Sequence, residues 1–191
     1  ILKLGITSKL NVMGFSYGGL TAAMYNQTYP SEVLKLIIID GPVKFYSGEM
    51  ADSLANIVGV KTIKNVIVPS TIKEFEGMKK AVMSRGFPAT KNLKHKMLTY
   101  FFMPTKTVRD MQMDYLFQRQ SIYQNYNYNL DKTPTLLIWG AKDGAIPLSV
   151  GENLHKAFPT TQLIIYPKAK HDAHFRESKH VNKAVIKFIK Q

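Results

Sequence analysis

A serine inside a glycine-rich turn is the first group in this sequence that could do chemistry. The turn is Gly14-Phe15-Ser16-Tyr17-Gly18, a G-x-S-x-G pattern, and both of its glycines are expected to be small because strand and helix come close together there. The apolar stretch Lys9–Met13 before it predicts a strand, and the periodicity of Leu20–Tyr29 after it predicts a helix. A serine on such a turn is lifted above the sheet, where its hydroxyl can attack a carbonyl carbon. We therefore predict Ser16 as a nucleophile and the backbone N–H of Tyr17, at the helix N-terminus, as an oxyanion donor.

A base and an acid must accompany this serine, because a serine hydroxyl is a poor nucleophile until its proton is taken. Asp143 lies just after the strand predicted over Thr135–Trp139, and His171 follows the last predicted strand, Gln162–Tyr166. The carboxyl ends of parallel strands meet at one edge of a sheet, so we expect these groups at the edge where Ser16 emerges. Their order along the chain (serine, acid, histidine) is the order associated with this turn.

The elements that must position these groups alternate between strand and helix. Val33–Ile39 is a nearly continuous aliphatic run, typical of a parallel strand that is covered on both faces. Helices are predicted near 149–158 and over Lys179–Lys190, and Gly5 is expected to end a helix over Ile1–Leu4. The sequence therefore predicts an α/β fold, with a parallel sheet of about four strands flanked by helices and built from residues 1–44 and 131–191.

The middle of the chain, residues 45–130, loses the strand signal. Three or four helices are predicted there, near 48–58, 71–84, 90–102 and 105–124, and most of the methionines lie in this segment. We predict an inserted helical cap. Its methionines and aromatic residues could line a pliable acyl pocket or simply pack the lobe.

Several of these motifs together resemble the α/β-hydrolase superfamily, and most of all its esterase-like members with a helical cap. The motifs are Leu10–Gly19, Pro30–Val33, Asp40-Gly41-Pro42, Trp139-Gly140-x-x-Asp143 with Ile146-Pro147, and the late histidine. The resemblance covers residues 1–43 and 131–191. It implies that Ser16 is the nucleophile, Asp143 the acid and His171 the base.

The chain departs from the pattern of that superfamily in three places. Members often carry glycine directly before the catalytic histidine, where this chain has Lys170, and His174 is an alternative base. His171 is preferred because it comes sooner after the strand. Asp40 is an alternative acid, since some members place the acid after that strand. The resemblance also implies further strands before the strand predicted over Lys9–Met13, one of them followed by a loop with a second oxyanion donor. We therefore expect a C-terminal portion of such an enzyme, with impaired activity.

Composition excludes several other classes of protein. The 191 residues include no cysteine, which rules out disulfides and thiolate chemistry and fits a reducing compartment, so a cytoplasmic location is predicted. The net charge of +13 is spread along the chain without a nucleic-acid motif, so no nucleic-acid partner is predicted. No apolar run reaches the roughly 20 residues of a membrane span.

The resulting function hypothesis is a serine hydrolase that cleaves a carboxylic ester or thioester through an acyl-enzyme on Ser16. Its partner would be a small-molecule acyl substrate, and no metal or cofactor is implied. Acyl transfer with the same triad and a catalytically inactive truncated hydrolase remnant are the alternatives. The sequence does not indicate an oligomeric state.

Overall fold

The computed structural model describes residues 5–85 and 88–191. The helix end predicted over Ile1–Leu4 lies outside the described residues. The described part of the chain contains no helix long and apolar enough to cross a membrane.

Four parallel strands form one sheet in the order in which they occur along the chain. They are β1 Leu10–Phe15, β2 Val33–Ile39, β3 Thr135–Gly140 and β4 Gln162–Tyr166. Their register places Phe15, Ile39, Ile138 and Ile164 in one row across the sheet. The strands therefore end together, and the loops that follow them leave from one edge. This arrangement confirms the predicted α/β fold.

Helices connect the strands and fill the long segment between β2 and β3. In chain order they are α1 Tyr17–Thr28, α2 Gly48–Ile57, α3 Ile63–Ile67, α4 Ile72–Val82, α5 Lys91–Met97, α6 Lys106–Gln118, α7 Gln120–Asn125, α8 Leu148–Ala157, α9 Ala173–Arg176 and α10 Ser178–Lys190.

The sheet is covered on both faces because successive side chains of a strand point to opposite sides. On one side, Ile38 and Trp139 are buried together with Leu20 of α1 and Leu154 of α8. On the other side, Ile37, Ile39, Leu136 and Ile138 pack against Val181 and Phe188 of α10. The apolar runs of β2 and β3 follow from this double burial, as the sequence predicted.

Helices α2 to α7 occupy the connection between β2 and β3, where the sequence predicted a helical insertion. Their bounds differ from the prediction in three places. The stretch expected over 105–124 is two helices with a break at Arg119, and the stretch over 90–102 becomes a π-helix from Leu98. The five-residue helix α3, capped by the Thr62 side chain, was not predicted because one turn carries no readable periodicity. The division into a core and a cap domain stays a prediction.

Candidate active site

Ser16 stands on a strained turn between β1 and α1. Its φ of 54° and ψ of −127° are rare for a residue with a side chain and cost of the order of 1–3 kcal/mol. The backbone N–H of Ser16 donates to the Ile39 carbonyl at 2.9 Å, which ties the turn to the end of β2. The turn is thus fixed by the neighbouring strand, and the hydroxyl of Ser16 is directed out of the sheet edge.

Only one of the two glycines in this turn is small for the predicted reason. A Cβ on Gly14 would lie 2.0 Å from the Gly18 carbonyl oxygen, so no larger residue fits. For Gly18 the prediction of a clash was wrong, since a Cβ there would meet no atom within 4 Å. The close approach of helix and strand falls one residue later, where a Cβ on Gly19 would lie 3.0 Å from the Gly41 Cα.

A chain of hydrogen bonds joins the three groups predicted to act together. The Oγ of Ser16 lies 2.9 Å from Nε2 of His171, and Nδ1 of the same ring lies 2.7 Å from Oδ2 of Asp143. Because a carboxylate only accepts, Nδ1 carries the proton, and Nε2 is left to accept the proton of the hydroxyl. The structure therefore brings the three predicted groups together in the geometry of a nucleophile, a base and an orienting acid.

Asp143 is held from two sides. Its Oδ1 accepts the backbone N–H groups of Ala145 at 2.7 Å and Ile146 at 2.9 Å, which leaves Oδ2 for His171. The loop of the histidine passes directly over the end of β3, since a Cβ on Gly140 would lie 2.0 Å from the Lys170 carbonyl. The glycine at the end of β3 thus lets the two loops come within hydrogen-bond distance.

The charge of Asp143 sets the basicity of the imidazole. Burial alone lowers the pKa of His171, but the nearby carboxylate and its hydrogen bond outweigh burial, and the pKa is raised above its ordinary value. An imidazolium formed during proton transfer is stabilised by the same contact.

Asp172, the residue after the histidine, fastens this loop to the end of α4. One oxygen of its carboxylate accepts the backbone N–H of Ser84 at 2.7 Å, and the other accepts the Ser84 hydroxyl. That hydroxyl oxygen in turn accepts the backbone N–H of Lys170 at 2.8 Å. Sequence reasoning missed this clasp of Ser84, Lys170 and Asp172, because the partners lie 86 to 88 positions apart. The one sequence signal for these hydrogen bonds was a carboxylate directly after the histidine.

The alternative base and acid lie close by but make different contacts. The ring of His174 packs against Phe15 with a centroid separation of 4.0 Å, and no hydrogen bond to Ser16 is formed within the described structure. Asp40 is fully buried, and its Oδ1 accepts the backbone N–H of Gly140 at 2.9 Å. The Nδ1–H of His171 thus donates to Asp143 and not to Asp40.

The buried side chains Asp40, Asp143 and His171 bring their ligand-type atoms within 4.8 Å of one another. Carboxylates and imidazole are also metal ligands. Both ring nitrogens of His171 are, however, engaged in hydrogen bonds, so neither has a lone pair directed at a cation. The geometry fits proton transfer better than metal binding.

A cavity of about 230 Å³ opens at the serine. Its walls come from α1, α3 and α6 and from the loops after β2 and β3. The residues in them are mostly apolar: Tyr17, Pro42, Tyr46, Ile67, Met113, Leu116, Ala145 and Ile146. The Tyr46 hydroxyl donates to the Ala145 carbonyl at 3.0 Å, which joins the segment before α2 to the Asp143 loop. Tyr17 begins α1, and its N–H, as the first of a helix, has no acceptor within the helix.

Comparison with known proteins identifies a matching family and similar proteins. Residues 1–178 match the family model described as alpha/beta hydrolase fold. A 2-hydroxy-6-oxononadienedioate/2-hydroxy-6-oxononatrienedioate hydrolase from Pseudomonas putida is 26% identical over 95% of the chain and 63% of its own length. Lipase 3 from a Moraxella species is 26% identical over 87% of the chain and 51% of its own length. The chain thus spans less than two thirds of these curated relatives.

A solved structure extends the comparison to the fold. A bacterial membrane phospholipase A superposes with a TM-score of 0.73, at 20% identity, over 95% of the chain and 57% of that protein. At this identity the likeness concerns the fold alone.

Proposed function

Because the chain belongs to the α/β-hydrolase family, as its motifs predicted, we propose that it is a serine hydrolase that cleaves a carboxylic ester or thioester through an acyl-enzyme on Ser16. The observation that supports this most directly is the unbroken line of hydrogen bonds from Ser16 through His171 to Asp143. The relatives with hydrolase and lipase names support the reaction class.

Acylation begins when Oγ of Ser16 attacks the carbonyl carbon while Nε2 of His171 takes the hydroxyl proton. The negative charge moves to the carbonyl oxygen, where the Tyr17 N–H at the start of α1 donates a hydrogen bond. Asp143 stabilises the imidazolium through Nδ1. The tetrahedral intermediate then collapses, the bond to the leaving group breaks, and Nε2 returns the proton to the departing alcohol or thiol.

Deacylation repeats these steps with water. His171 takes a proton from a water molecule whose oxygen attacks the acyl carbon, and it then returns that proton to Oγ of Ser16 as the ester bond breaks. The acid leaves, and the serine hydroxyl is restored. Each proton taken by the ring is given back, so the site ends as it began.

The cavities beside the proposed base favour an apolar acyl group. The cavity at Ser16 holds about 230 Å³, and Met113, Leu116 and Ile146 belong to its mostly apolar lining. A second cavity of about 600 Å³ is lined by His171 together with Phe15 and His174. We therefore propose that the substrate carries an apolar acyl chain.

A second candidate is hydrolysis of a substrate with an anionic end. Arg109 and Gln112 also line the cavity, and no carboxylate of the described residues lies within 4 Å of the Arg109 guanidinium. One relative is named as the hydrolase of a dioate, a dicarboxylate.

We expect Arg109→Gln to lower kcat/KM about tenfold for an ester with a terminal carboxylate and to leave kcat/KM for a neutral ester unchanged. Arg119→Gln is the matched control, since Arg119 lies over the Tyr115 ring as Arg109 lies over Phe101 and Phe102, but it does not line the cavity. Equal effects on both esters would exclude an anionic substrate.

Labelling with a fluorophosphonate tests the proposed nucleophile. The chain should label, Ser16→Ala should not, and Ser121→Ala, which changes an exposed serine of α7, should label like the wild type. Hydrolysis of p-nitrophenyl acetate should follow the same order. Equal labelling of Ser16→Ala and the wild type, or no labelling of the wild type, would show that Ser16 is not an activated nucleophile.

A further inference from the structure

Asp40 is a buried carboxyl that takes no part in the proposed reaction. It follows β2 with a φ of 46°, in the left-handed region that aspartate tolerates better than most residues. Its side chain is fully buried, and its Oδ1 accepts the Gly140 N–H. Its Oδ2 has no hydrogen-bond partner within the described structure. A buried acceptor without a donor is unusual and requires a physical reason.

An unpartnered oxygen is less costly to bury on a neutral carboxyl than on a carboxylate, and a second carboxyl beside Asp40 favours the neutral form. Asp40, Asp143 and His171 lie within 4.8 Å of one another in a buried space. Two carboxylates this close cannot both ionise easily, because each raises the cost of charging the other. Asp143 receives three hydrogen bonds, two from backbone N–H groups and one from the ring, whereas Asp40 receives one. The negative charge therefore belongs on Asp143 and the proton on Asp40.

Other charges near Asp40 support the same assignment. Burial, and after it the charge of Asp143, raises the pKa of Asp40 to about 8, against the smaller opposing effects of His171 and the Gly140 N–H. Asp172, in the loop after β4, also disfavours a charge on Asp40. The nearest cation in sequence, Lys44, is engaged elsewhere, since its Nζ donates to two backbone carbonyls near the end of α7.

On the premise of the proposed function, we propose that Asp40 is a positioning residue, a neutral carboxylic acid with its proton on Oδ2, which holds the end of β3 without placing a second negative charge beside His171. Through Gly140 it acts on the turn of the acid, because the Gly140 carbonyl accepts the Asp143 N–H at 3.2 Å. A negative charge on Asp40 would favour the protonated form of His171. Less of the neutral imidazole, which acts as the base, would then be present at neutral pH.

The pH dependence of the reaction distinguishes a neutral Asp40 from a charged one. Asp40→Asn keeps an oxygen for the Gly140 N–H and fixes the neutral state, so the acidic limb of the kcat/KM profile, which reports His171, should stay within about 0.3 pH units of the wild type. Near and above pH 8 the wild type should become more active than Asp40→Asn, since an ionised Asp40 stabilises the imidazolium of the transition state. Asp131→Asn, an exposed carboxyl before β3, is the control and should follow the wild type throughout.

A shifted acidic limb would overturn the proposal. If Asp40→Asn moved that limb by a full pH unit to lower pH, Asp40 would be charged in the wild type. A common profile above pH 8 would support a neutral Asp40 over the whole range and would contradict only its ionisation near pH 8.

A direct titration of the wild type needs neither activity nor a variant that folds. The ¹³Cγ resonance of Asp40 should titrate near pH 8, and titration below pH 5 would refute the neutral state. Failure of the fluorophosphonate labelling would count against the proposed function alone, and a normal Asp40 titration would count against this inference alone.

Discussion

Ser84 fastens the loop of the proposed base, and replacing it with alanine tests whether that fastening matters for the reaction. The substitution removes the hydroxyl that donates to Asp172 and accepts the backbone N–H of Lys170. The backbone N–H at position 84 still donates to the same carboxylate, and the Lys170 N–H retains a longer contact of 3.3 Å to Asp172. One charge-assisted hydrogen bond is therefore lost and another contact is weakened, while the fold is otherwise unchanged.

The size of the effect follows from the lost hydrogen bond. A hydrogen bond to a charged group contributes about 1.5–3 kcal/mol. Ser84 and Asp172 are half-buried, so water can replace part of the contact, and the lower end of that range applies. A cost of about 1.4 kcal/mol is a tenfold change in rate or population. If this energetic cost arises from displacement of the His171 ring, kcat should decrease about tenfold. KM should change little, because the cavity walls are not altered.

The assay is steady-state hydrolysis of a short p-nitrophenyl ester, with thermal unfolding measured in parallel. Ser84→Thr is the matched control, since it keeps the hydroxyl and should recover most of the activity. The clasp would be irrelevant to catalysis if Ser84→Ala hydrolysed the ester at the wild-type rate. A threonine variant impaired as strongly as the alanine variant would show that packing, and not the hydroxyl, is responsible.

The remaining predictions concern the turn, the acid and the buried carboxyl. Gly14→Ala should destabilise the chain and abolish labelling, whereas Gly18→Ala should be tolerated, because a Cβ clashes only at the first position; equal melting temperatures would contradict this. Asp143→Asn should lower kcat by about 10⁴-fold, because an amide that donates to Nδ1 selects the wrong tautomer of His171; a loss below tenfold would exclude Asp143 as the acid. Asp40 has a folded-state pKa of about 8, above its unfolded value, so its contribution to stability is full below about pH 4 and is lost as the pH rises toward 8. Chemical denaturation should therefore show the free energy of unfolding falling by up to about 1.4 kcal/mol per pH unit in that window, relative to Asp40→Asn; parallel curves would contradict it.

The sequence by itself determined the strands and indicated which polar side chains follow them. A strand that is buried on both faces must be apolar at nearly every position, so Val33–Ile39 was readable with its bounds. Ser16 was readable because the strained turn leaves a local signature in its flanking glycines. The order of serine, acid and histidine is the one associated with this turn, and their shared location followed from the rule that parallel strands end at one edge. All of these are properties of neighbouring residues or of their order along the chain.

Only the tertiary structure decided which groups touch. The sequence favoured His171 over His174 and Asp143 over Asp40, but the members of each pair leave the same sheet edge, so their contacts could not be predicted. Loop paths decided between them, and those paths depend on contacts such as that of Ser84 with Asp172, made across 88 positions. Local sequence encodes backbone preference and burial, whereas hydrogen bonds between distant loops form only once the sheet and helices α2 to α7 have brought those loops together.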